Sequence, residues 1–197
     1  LTGGYPQGEM LGVEALRYLY LAETDFEPHQ VSRHSGGGLR ILAMGGYLPS
    51  STNAQLRLLE LASPLLPAGT VFIVKPHPNC PVEPKQFPSI TVTVTMEGLS
   101  NLLAVCDVAY ADNVSSAAVD AYCAGVPVVS ILDPNTLNLS PLRGRVGAVF
   151  ISNPEELAEA LISSMSIQPA FTDQQNFFAL DPKLPRWRKL LLEATAL

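Results

Sequence analysis

Lys75, Pro76, His77 and Pro78 follow directly on the apolar run Val71-Phe72-Ile73-Val74. The run is short, β-branched and aromatic, the pattern of a strand buried in a parallel sheet. Polar residues after such a strand sit at its carboxyl end, where open α/β sheets bind ligands. Two prolines restrict the backbone on either side of the imidazole. A lysine offers a point charge to a phosphate, and a histidine offers a hydrogen bond from a ring nitrogen. A second cluster, Asn113-Val114-Ser115-Ser116, follows another short apolar run. Two hydroxyls at a helix start, with amides behind them, form an anion site. The plainer role for Ser115 is an N-cap, which leaves Ser116 to face a ligand. Together the two clusters point to a phosphate-bearing ligand.

Three further groups are weaker. Gly45-Gly46 ends the first apolar run of the core and lets a ligand approach the backbone closely. It is not a G-x-G-x-x-G fingerprint, and a tight turn explains it as well. Asp120 lies four residues after Ser116, so both can share a helix face. Its carboxylate can accept from ribose hydroxyls or stand solvated. Asp133-Pro134-Asn135 has the composition of a turn. His29 and His34 lack metal-ligand partner spacing, and no nucleophile–base–orienter set is visible. Mg²⁺ is not implied, because no carboxylate cluster accompanies the phosphate-type residues.

The elements that must hold these residues alternate. Strands are expected at 39–44, 70–74, 90–95, 107–111, 128–131 and 146–151. Helices are expected from Ser51 or Thr52 to Leu66, from Leu99 to Cys106, from Ser115 to Ala124, and from Asn153 to Met165. Gly125 ends the third of these. Asn153, Pro154 and two glutamates give the fourth a strong start. Alternation of this kind implies an α/β fold with a doubly wound parallel sheet. Residues 8 to 23 show helical spacing, and 24 to 38 read as a linker ending in three glycines. The division is therefore 1–38 for an N-terminal helix and linker, 39–168 for a Rossmann-like nucleotide-binding domain, and 169–197 for a C-terminal helical tail. Phe177, Phe178, Leu184, Trp187, Leu190 and Leu191 give the tail an apolar content that must pack on something.

Composition narrows the class. Of 197 residues, 47% are hydrophobic, enough for a sizeable core. The formal charge of −6 argues against nucleic acid as main partner. No apolar run reaches the ~18 residues expected of a membrane span. Cys80, Cys106 and Cys123 are odd in number and widely spaced, which fits a reducing compartment rather than a disulfide framework or zinc site. A cytoplasmic place is expected, peripheral to the inner membrane at most. The start at Leu1, with no basic n-region, suggests a piece of a longer protein.

Taken in order, these residues resemble the C-terminal half of a GT-B glycosyltransferase over roughly residues 39 to 165. Lys75-Pro76-His77-Pro78 resembles the HP motif of bacterial sialyltransferases and related capsule and teichoic-acid polymerases. Ser115-Ser116 resembles their Ser-Ser/Thr motif, and Asp120 to Val129 resembles the Glu-Ala-x-x-x-Gly-x-Pro-Val-Val segment of many GT-B enzymes. The resemblance implies that His77 acts on the leaving nucleotide. It implies a nucleotide and phosphate site at Gly45, Gly46, Lys75, His77, Pro78, Asn113, Ser115, Ser116 and Asp120. Asp at 120 replaces the family's Glu and has the shorter reach. The resemblance also implies a CMP- or CDP-linked sugar as substrate, with no separate cofactor and no metal. It further implies an acceptor domain ahead of Leu1 that supplies the general base. The tail with Leu184-Pro185-Arg186-Trp187 resembles that of surface-carbohydrate biosynthesis proteins.

The reading is the donor-binding domain of a bacterial glycosyltransferase for surface polysaccharide, inactive in transfer by itself. Two other readings stand beside it. One is a GT-B-type sugar-nucleotide epimerase or hydrolase. The other is a non-enzymatic module that binds a nucleotide or a partner, which predicts that Lys75, His77 and Ser116 do not converge.

Overall fold

The computed structural model describes residues 10–23, 38–132, 137–166 and 178–194. Six strands form one sheet: β1 (Arg40–Met44), β2 (Val71–Lys75), β3 (Val92–Val94), β4 (Val108–Asp112), β5 (Val128–Ile131) and β6 (Ala148–Ile151). Every pairing is parallel, in the order β3-β2-β1-β4-β5-β6. The expected doubly wound α/β sheet is present, with strand boundaries within two residues of those read from the sequence. The chain winds outward from β1 to β3, then returns to the other side of β1 as β4. Strand order therefore reverses between β1 and β4, and the crevice at their carboxyl ends is where such sheets take ligands.

Period-two alternation sends successive side chains of a strand to opposite faces. Ile41 and Ala43 of β1 join Leu56 and Leu59 of α2 (Pro49–Ala62) and Leu157 and Leu161 of α5 (Pro154–Ser163). Leu42 and Met44 join Leu102 and Leu103 of α3 (Leu99–Val105), and Ala118 and Ala121 of α4 (Ser116–Cys123). The small residues of α4 let it lie close on the sheet. Gly125 follows with φ 82°, a left-handed conformation that a side chain would strain.

Gln55 of α2 bonds to both central strands. It is fully buried, and its Nε2 donates to the carbonyl of Met44 at 3.2 Å and of Tyr110 at 2.9 Å. Tyr110 donates its own hydroxyl to the Gln55 carbonyl at 3.2 Å. One helix thus ties β1 and β4 together just below the crevice.

Two expectations change. The helix from Ser51 or Thr52 starts earlier, because Leu48 is the N-cap and Pro49 takes the first turn, where a proline loses nothing. The N-terminal helix is confined to a 3₁₀ turn at Leu16–Tyr18 and the short α1 (Tyr20–Glu23). Upstream of these, Ala15 donates to the carbonyl of Ala179 at 3.0 Å, and Glu14 turns to the tail, so tertiary contacts override the helical spacing. The tail forms α6 (Pro185–Ala194). The linker at 24–37, the turn at Asp133-Pro134-Asn135, and Phe177 lie outside the described residues.

Candidate functional site

The carboxyl end of β1 is packed by the chain itself. The Gly45 amide donates to the Lys75 carbonyl at 2.9 Å, extending the β1–β2 pairing. A Cβ on Gly45 would lie 3.3 Å from Thr52 Cγ2 and 3.4 Å from both Pro76 Cα and the His77 nitrogen. A Cβ on Gly46 would collide with the Asp112 carboxylate. The room these glycines make is filled by the chain's own atoms on the side where a Cβ would stand.

At the end of β2 the two basic side chains have different neighbours. Lys75 Nζ donates to the Glu97 carbonyl at 2.6 Å, toward the β3–α3 connection and the edge of the sheet. His77 stays at β1, its backbone nitrogen against Gly45 and its ring edge-to-face with Tyr47 at 5.3 Å and 81°. The Asn79 amide donates to His77 Nδ1 at 3.2 Å, and the Cys80 amide donates to the His77 carbonyl at 2.8 Å. This tight turn holds the imidazole, with Pro78 exposed at its tip. Lys75 and His77 thus have separate partners.

At the end of β4 stands Asp112, a residue the motif reading passed over. It is 2% exposed. Ser51 donates its hydroxyl to Asp112 Oδ2 at 3.1 Å, and the Val114 amide donates to Oδ1 at 3.2 Å. Ser51 lies in the first turn of α2, so this carboxyl group sits beside the start of that helix. A signal existed: an acidic residue ends a strand that is otherwise wholly apolar. Asn113 is also buried, and its Nδ2 donates to the Leu137 carbonyl at 3.3 Å. It ties the β4–α4 turn to the chain after β5.

The start of α4 is different. Ser115 is the N-cap, in extended conformation, yet its side chain makes no capping bond. Ser116 is exposed. By contrast, Asn153 caps α5 conventionally, its side chain accepting from the Glu156 amide at 2.8 Å. The α4 start lies at the switch point with two hydroxyls, and the Asp112 carboxylate is bonded to the Val114 amide just ahead of it.

Asp120 is 3% exposed and is engaged by the chain's beginning. Tyr20 donates to its Oδ1 at 2.6 Å and Arg17 Nη2 to its Oδ2 at 3.1 Å. Burial first, then this carboxylate, push the Tyr20 hydroxyl far above its ordinary value. The same two causes push Cys123 up to about 12, so this thiol stays protonated. Tyr18, next to Arg17, stacks on Phe178 with centroids 4.2 Å apart. A ribose can reach Asp120 only if Tyr20 and Arg17 give way. Among the described residues no three His, Cys, Asp or Glu side chains group as metal ligands, and no helix is long and apolar enough to cross a membrane.

No protein-family model matches the chain, and no curated relative matches it. Solved structures do. The glycosyltransferase SnogD from Streptomyces nogalater superposes with TM-score 0.56 at 19% identity, covering 83% of this chain and 45% of its own. The spinosyn forosaminyltransferase SpnP superposes with TM-score 0.51 at 14% identity, covering 81% of this chain and 45% of its own. The chain thus spans less than half the length of either neighbour. At these identities the likeness concerns the fold alone: the chain has the Rossmann-like α/β fold found in one part of these glycosyltransferases.

Proposed function

We propose that the chain is the donor-nucleotide-sugar-binding domain of a bacterial glycosyltransferase that builds surface polysaccharide. The donor is a CMP- or CDP-linked sugar, and the acceptor site and general base belong to a further domain. The observation that carries the reading is the start of α4. An exposed Ser116 and an N-cap without a side-chain bond stand at the switch point. A helix start of this kind attracts a phosphate through its amides and dipole. His77 stands on the other side of the β1 end and supplies a ring N–H. Stabilising the departing nucleotide's phosphate is the catalytic work expected of such a site.

Asp112 lies beside the start of α2, where it accepts from the Ser51 hydroxyl. Lys75 belongs to the rim of the site, and Asp120 is left to hold the chain's beginning. Calorimetric titration with CMP, CDP and UDP tests the reading. Binding of CMP that is lost in the His77→Ala, Ser116→Ala double variant is expected. No binding at millimolar nucleotide, or undiminished binding by the variant, sinks it.

One observation favours the non-enzymatic reading. Lys75 is turned to Glu97 and Asp120 to Tyr20, away from a common centre. If that module binds a partner, no nucleotide binds and the same titration separates the two; if it binds a nucleotide, turnover of a nucleotide sugar by the full-length protein separates them.

A further inference from the structure

We propose that Tyr47, together with the Asn79 amide, is a positioning residue that holds His77 as a donor through Nε2. The inference rests on the phosphate reading for its purpose, but its geometry stands apart from it. A backbone amide can only donate, so His77 Nδ1, which accepts from Asn79 at 3.2 Å, carries no proton. The neutral ring must then carry its proton on Nε2. The contact selects the tautomer only while the ring keeps its angle, and the ring has one freedom, rotation about its side-chain bonds, that would break it.

Tyr47 limits that rotation. Its ring meets the imidazole edge-to-face at 5.3 Å and 81°, within the favoured geometry for aromatic pairs. Tyr47 is itself 67% exposed, so core packing does not explain the ring. Its backbone runs from Gly46, where an added Cβ would meet the Asp112 carboxylate, to Leu48, the N-cap of α2. The His77 turn is closed by the Cys80 amide, and its backbone nitrogen lies near Gly45. The turns after β1 and β2 thus meet through the backbone at Gly45 and through this pair of rings. A preoriented neutral donor binds an anionic oxygen without first losing side-chain freedom, which is what a leaving-group clamp needs.

The test combines ring-nitrogen NMR with titration. In protein carrying ¹⁵N-histidine, with His77 assigned by comparison with His77→Gln, the wild type should show a single neutral tautomer, protonated on Nε2. Tyr47→Ala should show a mixture of tautomers, and Tyr47→Phe should restore the single form. By calorimetry Tyr47→Ala should weaken CMP binding about 3- to 10-fold, the span of an aromatic pair contact, while Tyr47→Phe binds as wild type does. An Nδ1-protonated ring in the wild type, or a Tyr47→Ala variant with wild-type tautomer and wild-type affinity, overturns the proposal. If the wild type binds neither CMP nor CDP, the phosphate reading fails. The nitrogen spectra then decide the positioning role alone, and an unchanged tautomer in Tyr47→Ala overturns it.

Discussion

Tyr20 donates its hydroxyl to Asp120 Oδ1 at 2.6 Å, from a four-residue helix to a carboxylate one hundred residues later. Asp120 is 3% exposed, and Arg17 reaches it from the solvent side with a side chain 59% exposed. The neutral tyrosine is the inner partner and the arginine the outer one. Losing the inner partner leaves a buried carboxylate short of a donor, and that loss is the costly one.

Tyr20→Phe should therefore lower unfolding stability by about 1–3 kcal/mol. Arg17→Ala should lower it by less, about 1 kcal/mol, because the arginine end of the pair faces solvent. Urea unfolding followed by circular dichroism measures both. Because the carboxylate holds the chain's beginning, CMP affinity should stay near wild type in Tyr20→Phe. Tighter CMP binding in that variant would return Asp120 to the ribose, with Tyr20 as its competitor.

The start of α4 gives a prediction in which binding and stability move in opposite directions. A negative side chain in the first turn of a helix stabilises it by about 0.3–1 kcal/mol. The same charge repels a phosphate brought to the same amides. Ser116→Asp should raise the midpoint of thermal unfolding slightly and abolish CMP binding. Ser116→Ala should weaken binding while leaving stability nearly unchanged. A Ser116→Asp variant that still binds CMP would place the phosphate elsewhere.

Much of this was legible in the residues. β1, β4 and β5 are short apolar runs buried on both faces, β2 is such a run buried on one, and the turn residues between them had to mark helices. His77 and Ser116 were found because they follow such runs. The misses share a cause: each is a contact between residues far apart in the chain. Nothing local distinguishes Gly46 as the neighbour of Asp112. Glu14 gives no hint that it will serve a helix beginning at Pro185. Helical spacing suggested a long helix ahead of Glu23, but Ala15 and Glu14 bond to the tail instead. Lys75 has the right type and place for a phosphate, yet only the fold shows the Glu97 carbonyl beside it.

Gly46 and Asp112 make a coupled pair. Gly46→Ala puts a methyl group where the carboxylate now lies, so one of them must shift. A small-to-large change at a packed site costs about 1–3 kcal/mol. Asp112→Ala removes the clash but also removes the acceptor for Ser51 and Val114. The double variant should therefore be less destabilised than the sum of the single ones, a coupling of about 0.5–3 kcal/mol for residues in contact. A double-mutant cycle by denaturant unfolding measures it. Strict additivity would mean that Gly46 is free of the carboxylate in solution.

Glu14 supplies the pH dependence. Its carboxylate accepts from the Arg186 and Trp187 amides at 3.1 Å each, at the start of α6, while Trp187 Nε1 donates to the Glu14 carbonyl at 2.9 Å. Burial raises its carboxyl, but the bonds from these amides and from its own, with the Arg186 charge, outweigh that and leave it below its ordinary 4.5. A carboxyl lowered by folding contributes stability that is full above its ordinary value and is lost as pH falls through the folded one. The docking of α6 should therefore hold at neutral pH and loosen only below 4.5. Trp187 is the single tryptophan, so its emission reports on this contact alone. Acid titration should show a red shift of that emission beginning below 4.5, before the far-ultraviolet signal of the sheet is lost. Glu14→Gln should show the shifted emission already at neutral pH, with no acid step of its own. An acid step of the same size in Glu14→Gln would assign the change to another carboxylate, with Glu60, also lowered by a backbone bond, as the first to examine.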